Sequence, residues 1–144
     1  MNPDLQKALA IIQRNLKAPK GQQNKFGGYK YRSCEDILEA VKPLLGGCTL
    51  TISDSIHQIG DRFYIEAQCT LFGFDGLIQV TAYAREADAK KGMDAAQVTG
   101  AASSYARKYA LNGMFLIDDT ADADSAPPVA APRSTPPRST PPPQ

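Results

Sequence analysis

Histidine occurs once in this chain, tryptophan not at all, and cysteine three times. The single imidazole, His57, excludes paired-histidine metal motifs and leaves little scope for imidazole acid–base chemistry. Cys34, Cys48, His57 and Cys69 would together supply four zinc ligands, but their spacings match none of the short paired patterns of a zinc site, so no metal is expected. An odd, widely spaced trio of cysteines is no disulfide framework either. No G-x-x-x-x-G-K-[ST] occurs, which removes a phosphate-binding loop for nucleoside triphosphates. Gly27-Gly28 is not a dinucleotide fingerprint, because no strand precedes it and no third glycine follows at the right spacing. No nucleophile is paired with a base, so catalytic residues and cofactors are both expected to be none. Met1–Ala10 lacks a basic region followed by an apolar run, and no apolar segment approaches membrane-spanning length. The expectation is a cytosolic chain with reduced thiols and no membrane partner.

Proline, by contrast, is crowded at one end. Eight of the eleven prolines lie between Pro127 and Pro143, and the unit PRSTP repeats at Pro132–Pro136 and Pro137–Pro141. Such a segment has too little apolar surface to offset its chain entropy and should be an extended, solvated tail. The chain therefore divides into one domain over residues 1–120 and a disordered Pro-rich tail over 121–144. The formal charge of +1 conceals an asymmetry: Lys7, Arg14, Lys17, Lys20, Lys25, Lys30 and Arg32 face Asp4 alone before Glu35. Asp118, Asp119, Asp122 and Asp124 lie at the opposite end and read as a solvated acidic linker rather than a metal site. Segregated charge of this kind suits a polyanion, and it also suits cations that merely decorate exposed surface.

The domain itself has legible periods. Leu5, Leu9, Ile12 and Leu16 form one helical stripe from Asp4 to Ala18, stopped by Pro19 and Gly21. Lys17–Arg32 follows as a basic loop, and Ser33 with Asp36 resembles a capping box opening a short helix that presents Ile37, Leu38, Val41, Leu44 and Leu45. After Gly46-Gly47 the period becomes two. Leu50, Ile52 and Ile56, then Phe63, Ile65, Ala67, Cys69 and Leu71, then Ile78, Val80, Ala82 and Ala84 alternate with polar residues, with turns at Gly60-Asp61 and Gly73–Gly76. That is a three-stranded antiparallel β-meander with one apolar face, to be covered by a helix over Asp94–Asn112 that stops at Asn112-Gly113. The fold class is α+β, a meander packed by helices in the order α-α-β-β-β-α. Two free sheet edges without proline make self-association through them an expectation.

Two segments carry candidate chemistry. Lys25-Phe26-Gly27-Gly28-Tyr29-Lys30-Tyr31-Arg32 mixes cations for phosphate, rings for base stacking and glycine for close approach, the mixture that suits single-stranded nucleic acid. Equally, Tyr29 and Tyr31 could pack under the following helix while the cations face water. On the last helix Ala95, Ala96, Thr99, Gly100, Ala101, Ala102, Ser103, Ser104 and Ala106 leave little side-chain bulk. At 100° per residue Val98, Ala102, Tyr105, Ala106 and Tyr109 share the face expected against the sheet, whereas Arg107 and Lys108 point away beside Gln97, Gly100 and Ser104. This polar side fits phosphate contact, and it fits an ordinary exposed helix surface as well.

The segments YKYRSCEDILEAVKPLL, from Tyr29 to Leu45, and KKGMDAAQVTGAASSYARKYALNGMFLIDDTADAD, from Lys90 to Asp124, resemble the ERF family of phage and prophage single-strand annealing recombination proteins. The resemblance runs from about Leu5 to Asp124. It implies ATP-independent binding of single-stranded DNA and annealing of complementary strands in homologous recombination and repair, by a homo-oligomer forming a ring or helical filament. It implies further a β-β-β-α core shared with eukaryotic ring-forming annealing proteins, residence in the bacterial host cytoplasm, and partners such as a host single-strand-binding protein or a phage exonuclease. Carried onto this sequence, it makes Arg107 and Lys108 groove contacts, Lys30 and Arg32 their companions, and Lys90 and Lys91 further candidates. Lys25 and Tyr29 join the DNA-binding set from the basic segment. The tail departs from relatives with longer C-terminal regions. Two other readings of the chain remain: a passive single-strand coat, and an adaptor that uses the PRSTP repeats as ligand for a Pro-binding domain.

Overall fold

Asn2 starts the first helix and ties it to the sheet. In this computed structural model, which describes residues 2–18, 22–23, 30–88 and 92–117, helix α1 spans Pro3–Asn15. Asn2 Oδ1 accepts from the Asp4 and Leu5 amides, and Asn2 Nδ2 donates to the Phe74 carbonyl at 2.6 Å. Proline at the first helical position loses nothing, since its missing N–H would have had no intrahelical partner. Leu5, Ile12 and Leu16 bury the predicted stripe.

A short antiparallel ladder stands where the sequence reads as a loop: β1 (Gln22–Gln23) pairs with β2 (Lys30–Tyr31). Two residues per strand are too few for a period-two signal, so alternation had nothing to register. Helix α2 (Cys34–Val41) opens on the expected capping box, with Ser33 Oγ accepting from the Asp36 amide and Asp36 Oδ2 from the Ser33 amide. A 3-10 turn, Lys42–Leu44, carries Pro43 and ends it.

The meander follows as β3 (Thr49–Ile59), β4 (Arg62–Gly73) and β5 (Gly76–Arg85), with β4 central. Registers Ile52↔Cys69 and Cys69↔Val80 place the apolar set on one face. Along β4 that face is fully enclosed at Ile65, Ala67, Cys69 and Leu71. The second turn differs from its sequence signal. Positive φ falls on Phe74 and Asp75 rather than on the flanking glycines. A Cβ on Gly73 would lie 2.9 Å from Cys48 Sγ, and one on Gly76 would lie 3.1 Å from Asn2 Cβ. The two glycines serve close approach, and the Asn2 hydrogen bond to Phe74 pins the turn between them.

Helix α3 (Ala95–Phe115) roofs the apolar face. Its start is capped reciprocally, Asp94 Oδ1 accepting from the Gln97 amide and Gln97 Oε1 from the Asp94 amide. The helix runs through Asn112-Gly113, where a stop was expected, and ends at Leu116 in the left-handed region. Gly113 is there for the sheet: a Cβ on it would sit 3.0 Å from Val80 Cγ1. Ala102, Ala106, Ala110 and Met114 are buried along the helix, joined by Leu111 and Phe115.

Tyr105 and Tyr109 are not part of that core. They are 53% and 52% exposed. The buried arc centres on Ala106 and Ala110 and turns through Met114 toward Leu111 and Phe115, because α1 and α2 also pack against α3 on that side. The tyrosines are left on the opposite margin. The other sheet face, lined by Thr51, Ser53, Ser55 and His57, by Tyr64, Glu66, Gln68 and Thr70, and by Gln79, Thr81 and Tyr83, is exposed or half-buried except at Thr70, which is buried. Among the described residues β3 and β5 have no outer neighbour. No described helix is long and apolar enough to cross a membrane. The tail expected over 121–144 lies outside the described residues.

Candidate nucleic-acid interface

The cations of the last helix sit where α3 meets α2 and the edge strand β3. Asp54 is the residue that organises them. It occupies the helix-facing side of β3, in register with Ala67 and, across β4, Ala82, so a carboxylate stands in an otherwise apolar row. A carboxylate in such a row must be satisfied by hydrogen bonds or an opposite charge. Ser103 Oγ donates to Asp54 Oδ2 at 2.5 Å, while Arg107 Nε and Nη2 donate to Oδ1 and Oδ2 at 3.0 and 3.2 Å. These bonds raise the Arg107 pKa above its ordinary value and fix a planar fork at the helix flank.

Lys108 lies on the next part of the flank, its ammonium 5.0 Å from the centre of the Tyr105 ring. Burial pushes the Lys108 pKa down, and the Arg32 charge pushes the same way against the opposing influence of Cys34 and Glu35. An anion placed beside Lys108 would relieve both pressures. Tyr105 and Tyr109 continue the strip, ring centres 6.3 Å apart and planes 28° from parallel.

Arg32 does come close to this site, but as an enclosed residue. It is 2% exposed, and its Nε donates to the Ala18 carbonyl, tying the entry of α2 to the end of α1. Its geometry is that of a strut whose charge acts on Lys108 at a distance. Lys30 lies on β2, two residues before it. Lys25, Tyr29, Lys90 and Lys91 lie outside the described residues. Of the eight sequence-derived candidates, then, Arg32, Arg107 and Lys108 are brought to one place. Asp54, Tyr105 and Tyr109 were missed. The gap at Asp54 in the alternation Leu50, Ile52, Ile56 was the available signal for the first; nothing in a 100° wheel marks the tyrosines as outward without knowing where α1 and α2 pack.

Among the described residues the remaining polar clusters do not assemble a reaction centre. On the open sheet face Ser55, His57 and Glu66 adjoin, but Ser55 Oγ and Glu66 Oε1 both meet the same nitrogen, His57 Nε2, at 3.1 and 2.6 Å. A nucleophile-activating relay needs one partner on each ring nitrogen. Hydrogen bonds from His57 and Ser55 hold the Glu66 carboxyl below its ordinary range. A lowered folded-state pKa stabilises the protein above the unfolded value, and that contribution is lost as pH falls through the folded one. Glu66→Gln should therefore flatten the acid limb of the stability profile and leave it unchanged at neutral pH and above, apart from a constant offset. Urea midpoints measured from pH 3 to 7 on both proteins test this. Parallel profiles would dismiss Glu66 as a contributor. Burial pushes the Cys69 thiol up to about 12 and raises Cys34 as well, which disfavours the thiolate at both. Among the described residues no group of three or more His, Cys, Asp or Glu side chains is placed to hold a metal ion.

Fold and site together define a small α+β domain whose distinctive surface is a cationic, tyrosine-bearing helix flank rather than an acid–base or metal centre. The chain belongs to the ERF superfamily, whose sequence pattern matches residues 5–143. It is similar to the Essential recombination function protein of Salmonella phage P22, at 60% identity over 125 residues. That alignment covers 87% of this chain and 61% of the phage protein, so the chain spans less than two thirds of its relative. No solved structure matches.

Proposed function

We propose that this domain binds single-stranded DNA and anneals complementary strands without nucleotide hydrolysis, as a recombination protein. The observation that carries the reading is the pair of consecutive cations on α3, Arg107 held by Asp54 of β3 and Lys108 against the exposed Tyr105 ring. Similarity to a protein named for essential recombination function supports it.

The mechanism is physical. A backbone phosphate approaching the flank meets Lys108, whose half-buried ammonium lacks full hydration, and then competes with Asp54 for the Arg107 fork. Asp54 thus presets the guanidinium in an anion-binding orientation and limits how strongly any one protomer holds DNA. Weak contacts per protomer suit annealing, because a strand held too firmly would not be released into a duplex. Assembly through the free edges of β3 and β5, as a ring or filament, lines such contacts into a continuous track and supplies affinity by multivalency.

The test uses two complementary, end-labelled oligonucleotides and no nucleotide cofactor. An annealing protein accelerates duplex formation above the spontaneous rate. A passive coat slows it, and that result would replace this reading with single-strand protection. An unchanged rate, with no binding of either strand, would leave the adaptor reading in its place.

A further inference from the structure

Helix α3 is rich in small residues, and its two tyrosines stand one turn apart. Tyr105 and Tyr109 are 53% and 52% exposed, outside the buried arc of α3. Their rings stack on each other at 6.3 Å and 28°, and Lys108 Nζ lies 5.0 Å from the Tyr105 centroid. Arg107, about 160° round the helix from Tyr105, is held separately by Asp54. Two roughly parallel aromatic faces on a rigid scaffold, with a cation against one of them, are what an unpaired base and its phosphate require.

We infer that Tyr105 and Tyr109 form a stacking platform for the unpaired bases of a DNA single strand, with Lys108 taking the phosphate of the same nucleotide; this rests on the single-strand reading above. A duplex keeps its base faces inside the stack, so the platform discriminates single strands from double strands by the availability of those faces. Stacking uses the face of a base and leaves its Watson–Crick edge outward. A strand so held is therefore ready to pair, and once paired its bases prefer their new neighbours, which releases the strand from the platform. The tyrosines thus supply the sequence-independent part of recognition that charge alone cannot, and they separate a strand presented for pairing from one merely neutralised.

The experiment compares two oligonucleotides of equal length and charge, one of thymidines and one of abasic sites. It uses the full chain and the variants Tyr105→Leu/Tyr109→Leu and Tyr105→Phe/Tyr109→Phe, with particle size recorded for each. The expected result is that the full chain binds the thymidine strand about five- to hundredfold tighter than the abasic one for each base stacked. The leucine variant loses that preference while its affinity keeps the same dependence on salt, and the phenylalanine variant retains the preference. Equal binding of the two strands by the full chain overturns the inference alone. So does a leucine variant that still discriminates, whether or not its particle size changes; a changed size would assign the tyrosines to a contact between copies. Absence of binding to either strand overturns the single-strand reading and this inference with it.

Discussion

Replacing Arg107 and Lys108 together by alanine is expected to weaken binding to a short single strand by about tenfold or more, since one charge-assisted contact contributes roughly 1.5–3 kcal/mol. At Arg107, which has a carboxylate partner in Asp54, phosphate contact is an exchange of one anion for another. The fold should survive, because both side chains lie at the rim of the core rather than in it. Fluorescence anisotropy with a labelled oligonucleotide, run beside a urea melt of each variant, separates the two consequences. Undiminished affinity in the double variant would remove the α3 flank from the binding site.

Phe115→Ala is expected to produce the largest loss of stability of any single substitution considered. Phe115 is the last residue of α3, 1% exposed, and the bulkiest of the fully enclosed side chains. Its truncation leaves a cavity in the enclosed core, at a cost of about 3–5 kcal/mol. Against a total stability of roughly 5–15 kcal/mol this is a large fraction, enough to populate unfolded chain at ordinary temperature if the domain lies near the lower end. Tyr105→Ala, on the same helix but exposed, should change stability by only about half a kcal/mol. The contrast is diagnostic for which face of α3 packs inward. Equal destabilisation by the two would mean that the tyrosines, not the alanine–methionine–phenylalanine arc, face the core. The readout is the urea midpoint at constant m-value.

The contrast also marks where sequence reasoning succeeds and where it stops. The meander was legible because a half-buried strand must alternate, and on β4 every predicted inward residue from Ile65 to Leu71 is enclosed, although Thr70 is buried too and Phe63 is exposed. The capping box at Ser33 was legible because it is a purely local pattern. Asn112-Gly113 misled because glycine has two uses: it can end a helix, or it can let a helix lie close to a sheet, and only the position of Val80 decides. Gly73 and Gly76 misled in the same way, standing where Cys48 and Asn2 need room while Phe74 and Asp75 take the turn. Tyr105 and Tyr109 were placed inward because a helical wheel gives relative directions and no origin. The origin is set by long-range packing of α1 and α2 on α3, for instance the bond from Gln13 Nε2 to the Met114 carbonyl across 101 residues of sequence. The candidate site was therefore half legible. Its cations were named from the helical wheel and the family resemblance, whereas Asp54, which holds Arg107 against β3 rather than away from the sheet, becomes visible only once β3 lies against α3.

The central claim is that the paired cations of α3 contact DNA phosphates, and the salt dependence of single-strand binding tests it most directly. Binding constants for one short oligonucleotide are measured between about 50 and 200 mM monovalent salt for the full chain and for Arg107→Ala/Lys108→Ala. Each phosphate contact on a single strand contributes about −0.7 to the slope of log affinity against log salt, so the full chain should show a steep negative slope and the variant one shallower by about 1.4. A flat dependence for the full chain, or identical slopes for the two proteins, would contradict the account.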